Sequence, residues 1–102
     1  MIKDLISTLK KLNRPVAYMY HSEPQDLPYF AVLGDGQTHF DADNTYYDKT
    51  NFYSVEYYFV KKNEAFEEQI ENTLLQDGFK YEKSEDVYID SEDMTVIYYT
   101  VN

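Results

Sequence analysis

The segment NFYSVEYYFV, residues 51–60, alternates in a way that admits one backbone conformation. Tyr53, Val55, Tyr57 and Phe59 fall at every second position, and Ser54, Glu56 and Tyr58 fall between them. A period of two marks a strand with one buried face; a helix would scatter the same residues around its axis. The closing MTVIYYTV (94–101) also reads as a strand, and YFAVL (29–33), apolar on both faces, predicts a central one. A sheet is therefore required, and the remaining question is what covers it.

Two segments offer cover. Ile2, Leu5, Ile6, Leu9 and Leu12 recur at helical spacing with Lys3, Asp4, Lys10 and Lys11 opposite them, and Asn13 and Pro15 end the run. NEAFEEQIENTLLQDGF (63–79) predicts a second helix. Asn63 caps it, Glu64, Glu67 and Glu68 sit near its positive end, Phe66, Ile70, Thr73 and Leu74 form one face, and Gly78 stops it. VAYMY (16–20) predicts another strand, while Pro24 and Pro28 make HSEPQDLP a loop. Gly34-Asp35-Gly36 reads as a turn, and FKYEKSEDVYI as a strand joined to the last one through DSED. The order α-β-β-(β)-β-α-β-β, with short turns between strands, predicts an α+β two-layer sandwich: an antiparallel sheet with both helices on one face.

A chain of 102 residues makes one domain, able to bury about 65% of the surface its unfolded form exposes. Its aromatic residues are 12 Tyr and 6 Phe with no Trp, a composition suited to half-wet strand faces and to protein interfaces. The net charge of −10 argues against a surface that tracks phosphates. The basic residues are scattered, the densest groups being Lys10-Lys11-Arg14 and Lys61-Lys62. With no cysteine, disulfides and thiolate metal sites are excluded, which fits a reducing compartment. Charges interrupt the apolar positions of the N-terminal segment, so it is not read as a signal peptide. No apolar run approaches the ~20 residues that span a bilayer, and a soluble protein without a membrane partner is expected.

The stretch GDGQTHFDADNTYYDKTNFYS (34–54) crowds carboxylates between aromatic segments. Taken as a calcium loop from Asp41, it has Asp43 at the third position but Tyr46 where a glycine must turn and Phe52 where a bidentate Glu must close the site. Solvated turn carboxylates fit better, and no metal or cofactor is expected. His21 and His39 are the only imidazoles, and His21-Ser22-Glu23 are consecutive, so their side chains point apart in extended chain. With no glycine-rich phosphate loop either, no catalytic residues are assigned and the protein is not read as an enzyme. The length of the stretch from 34 to 51 and its rings instead predict a projecting loop or hairpin arm that meets a neighbouring subunit. Its candidate interface residues are Asp35, His39, Phe40, Asp41, Asp43, Asn44, Tyr46, Tyr47 and Asp48.

Several short motifs, in order, carry a family resemblance: Pro15-Val16-Ala17-Tyr18, Leu27-Pro28-Tyr29, Ala42-Asp43-Asn44 followed by Tyr47, and Tyr81-Glu82-Lys83 ahead of Tyr88-Ile89. Together they span nearly the whole chain, which resembles small proteins of siphophages and prophages of Gram-positive bacteria, encoded among the head–tail joining genes. The resemblance implies a tail terminator, or tail completion protein. Such proteins form a ring, commonly a hexamer, that caps the tail tube and docks to the head connector. It implies as partners other copies of the chain, the major tail tube protein and the connector proteins, with DNA passing through without specific binding. It places the protein at the tail–head junction of the virion, and in the host cytoplasm during assembly. The chain departs from the family in the context of THFDADN and in its acidity. Another neck protein, such as a head–tail adaptor or stopper, and a small acidic DNA mimic are the alternatives.

Overall fold

A computed structural model describes residues 2–39 and 49–102. Along the chain run α1 (Ile2–Lys10), β1 (Val16–Tyr18), β2 (Tyr29–His39), β3 (Lys49–Phe59), α2 (Glu64–Gln76), β4 (Tyr81–Lys83), β5 (Val87–Ile89) and β6 (Met94–Val101). A short 3-10 turn, Asp90–Glu92, precedes β6. The strands form one open sheet in the order β1-β2-β3-β6, and β4 and β5 both pair with the outer edge of β6. This is a small α+β fold with a mostly antiparallel sheet.

The alternation in β3 fixes which face is buried. Val55, Tyr57 and Phe59 turn inward with Phe30 and Val32 of β2 and Ile97, Tyr99 and Val101 of β6. Leu5 and Leu9 of α1 and Ile70 and Leu74 of α2 complete this core from the other layer. The two helices are tied to each other by Asp77, which accepts from Thr8 Oγ1 at 2.6 Å and from Lys11 Nζ at 2.7 Å. Asn63 caps α2 as its position demands, its side-chain oxygen accepting from the Phe66 amide at 3.0 Å. Gly78, at φ 89°, takes the left-handed conformation that closes the helix.

Four sequence expectations require correction. First, β2 does not stop at Leu33, and Gly34-Asp35-Gly36 is not a turn. The β2–β3 ladder continues to His39 opposite Lys49, and a register shift between Gly34 and Gly36 absorbs Asp35 as a bulge. Second, β1 pairs with β2 in parallel, Val16 lying opposite Phe30. Residues 19–28 are long enough to carry the chain back to the start of β2, so no tight turn forces an antiparallel pair. Third, FKYEKSEDVYI is two short strands. Between them Ser84 donates its amide to the Tyr98 carbonyl and accepts the Tyr98 amide on Oγ, both at 2.9 Å, so a side chain stands in for part of the ladder. Fourth, Glu67, read with Glu64 and Glu68 at the positive end of α2, joins its buried face; Ile70 and Leu74 are buried and Phe66 packs against the core as expected, with Thr73 half-buried.

Candidate functional site

Because both helices lie on one face of the sheet, the other face carries no helical layer, although Ala31 and Val96 on it are buried. Tyr29 and Ala31 of β2, Glu56 and Tyr58 of β3, and Val96 and Tyr98 of β6 project there, by the parity of the strands. Tyr29 and Tyr58 lie opposite each other and stack at 5.0 Å between ring centres. His21 meets the Tyr29 ring edge-on at 4.9 Å. These are the cross-strand aromatic contacts that hold adjacent strands in register.

The loop after β1 walls this face on one side. Residues 19–25 and the side chains of Tyr29, Ala31, Glu56 and Tyr58 enclose a cleft of about 360 Å³. His21 Nε2 lies 2.9 Å from the Phe30 carbonyl oxygen, so that ring nitrogen is spent on holding the loop. The Tyr58 hydroxyl donates to Glu56 Oε1 at 2.7 Å. Burial first, and then the Glu56 carboxylate, push the Tyr58 hydroxyl far above its ordinary value of 10.0. Burial, Glu92 and Glu56 raise Tyr29 as well. Neither phenol yields a proton at neutral pH, and the two rings pack against each other across the strands. Two residues of the cleft wall are largely open to solvent, Tyr20 at 72% exposed and Met19 at 49%, whereas Tyr18, 54% exposed, pairs with Val32 and so belongs to the opposite face.

On the helical side, the ionisable residues form a closed seam between α2 and the β4–β6 edge. Glu67, only 2% exposed, lies within 2.8 Å of both Lys62 and Lys83. Glu71 pairs with Lys83 at 2.8 Å and accepts from the hydroxyls of Tyr99 at 2.9 Å and Tyr81 at 3.3 Å. Burial works against the Glu71 charge, but Lys83 and the two tyrosines outweigh it and hold the carboxyl below its ordinary value. Burial likewise opposes the Lys83 charge, and the Glu67 and Glu71 carboxylates override it and push the ammonium up. An acid moved down and a base moved up both stay charged at neutral pH, which makes the seam a fastening between layers rather than a proton-transfer pair.

Of the sequence-derived candidates, Asp35 lies at the β2 bulge and His39 at the strand end opposite Lys49. Phe40, Asp41, Asp43, Asn44, Tyr46, Tyr47 and Asp48 lie outside the described residues. The aromatic face was missed by sequence reasoning, although the separation of Glu56 and Tyr58 from the buried side of β3 was a signal for it. The seam was missed too, because its partners are separated by up to 28 positions in the chain. Among the described residues no group of three or more His, Asp or Glu side chains is placed to hold a metal ion, and no helix is long and apolar enough to cross a membrane. Compared with protein-family models and with curated proteins, the chain matches none.

Proposed function

We propose that the protein is a phage virion component, a tail terminator whose copies form a ring, commonly of six in the proteins it resembles. The ring caps the finished tail tube, joins it to the head connector and lets duplex DNA pass. Its partners are its own copies, the major tail tube protein and the connector proteins. It acts at the tail–head junction, after assembly in the host cytoplasm, and catalyses no reaction.

The observation that carries this reading is the one-sidedness of the sheet. A sheet that spends its helices on one face and leaves Tyr98 and Val87 accessible on the other, beside Met19 and Tyr20 of the flanking loop, presents a surface composed like a protein interface. The ordered motifs from Pro15 to Ile89 supply the kind of assembly, and the net charge of −10 suits a passage to which DNA must not adhere.

Electron microscopy of the purified protein, alone and mixed with isolated tail tubes, tests the reading. Rings, and density capping tube ends, are expected. A protein that stays monomeric by light scattering and leaves tube ends bare overturns the proposal, and binding to connectors but not tubes moves it to an adaptor or stopper.

A further inference from the structure

Arg14 and the Lys61-Lys62 pair are remote in the chain but meet in space. Arg14 lines a cleft of about 520 Å³ together with Lys61 and Lys62, over a floor that includes Phe59 and Phe66. Arg14 is fixed there by two neutral acceptors: Nε donates to the Pro28 carbonyl at 2.8 Å and Nη2 to the Asp26 carbonyl at 2.9 Å. Its charge is oriented without being neutralised. Lys62 is engaged by Glu67 and Asp86, whereas Lys61 has no ion-pair or hydrogen-bond partner among the described residues. Val60, beside it, is 63% exposed.

In so acidic a chain, two uncompensated cations beside aromatic rings form a receptor for a segment that carries both carboxylates and rings. The sequence contains such a segment in residues 40–48, FDADNTYYD, with three aspartates, three rings and no cation. Residues 84–93 are also acidic, but there Asp86 already holds Lys62, and Asp93 accepts from the Tyr88 hydroxyl at 2.6 Å.

Chain length decides whose cleft the segment can enter. Its flanks, His39 and Lys49, are paired at one end of β3, and Phe59 in the cleft is the last residue at the other end. At ~3.4 Å per residue, those strand ends lie about 34 Å apart. A connection of nine residues that must go out and return reaches no further than about 18 Å. The segment cannot enter the cleft of its own chain.

We propose that the Arg14–Lys61 cleft receives residues 40–48 of a second copy, head to tail. This rests on the self-association proposed above, and it supplies the unlike pair of patches that a closed ring requires of each subunit.

The test titrates isotope-labelled full-length protein with the synthetic peptide THFDADNTYYDKT, residues 38–50. Amide shifts concentrated at Arg14, Val60, Lys61 and Phe66, weakening with salt, are expected. Lys61→Glu, at an exposed side chain, should lower peptide affinity at least about fivefold and weaken self-association in velocity sedimentation. A peptide with its three aspartates replaced by asparagine should lose most of its binding. Shifts elsewhere, or none at millimolar peptide, overturn the proposal, as does assembly unchanged by Lys61→Glu; both leave the ring reading standing. A wild-type chain that remains monomeric at millimolar concentration overturns the second copy as occupant and the ring together.

Discussion

Tyr99 on the sheet and Glu71 on α2 join the two layers of the fold, the Tyr99 hydroxyl donating to Glu71 Oε2 at 2.9 Å. Tyr99 is fully buried, so no water replaces that acceptor if it is removed. Glu71→Ala should therefore destabilise by ~2–4 kcal/mol, because it orphans a buried hydroxyl and removes a partner of Lys83. Tyr99→Phe removes donor and bond together and should cost only ~1 kcal/mol. Urea denaturation followed by circular dichroism measures both. Equal costs would mean that the seam contributes little beyond packing.

The same seam sets a pH dependence. A carboxyl held below its ordinary value of 4.5 contributes stability above that pH and loses it as pH falls through the lower, folded value. Glu71 should thus sharpen the loss of stability on the acid side of pH 4.5, and Glu71→Gln should make that limb shallower. Lys83 works in the opposite direction. Its contribution is complete below 10.5 and fades only as pH rises towards its raised folded value. Melting temperatures of the wild type and of Glu71→Gln between pH 3 and 7 decide the acid half of this expectation.

Neighbouring residues on opposite faces of β6 should separate folding from association. Ile97→Ala opens a cavity in the core and should cost ~2–4 kcal/mol. Tyr98→Ser combined with Tyr20→Ser changes exposed positions on the uncovered face and its rim, so stability should move by no more than ~1 kcal/mol. Self-association should nonetheless weaken about tenfold, as for loss of aromatic anchors from an interface. Thermal melts and sedimentation on the same samples supply the comparison, and a double variant that assembles normally would remove this face from the interface.

The proposed DNA passage yields another test. Replacing Asp41, Asp43 and Asp48 with Lys adds two charge units at each position and takes the net charge from −10 to −4. The variant should bind duplex DNA in a salt-sensitive way that the wild type does not, because phosphate neutralisation provides most nonspecific affinity. Filter binding across a range of salt concentrations reports it. The same substitutions should weaken assembly, because they reverse the charges proposed to dock on Arg14 and Lys61, and a triple variant indifferent to DNA would leave these residues to that cleft and away from the lumen.

Much of the fold was legible because local rules and tertiary packing agreed. Asn63 and Gly78 delimited α2, and the alternation from Tyr53 to Phe59 identified the buried side of β3. Where they disagreed, tertiary pairing prevailed. Gly34-Asp35-Gly36 has the composition of a turn, yet a facing strand that supplied hydrogen bonds up to Lys49 turned it into a bulge. Glu67 has the composition of a solvated helix residue, yet Lys62 and Lys83 compensate it well enough for burial. The basic cleft escaped notice because Arg14 and Lys61 lie in different loops, and only the return of residues 19–28 sets Pro28 and Arg14 beside the start of α2.

The interruption at Ser84 bears on how copies behave when crowded. An outer strand running unbroken from 81 to 89 would offer a long ledge of free amides and carbonyls on which further chains could stack without limit. Two strands of three residues, parted where a serine hydroxyl takes up a backbone amide, offer no such ledge. A chain rich in tyrosine and valine thereby keeps its β-forming tendency inside the fold, and fibre growth along that border has no template.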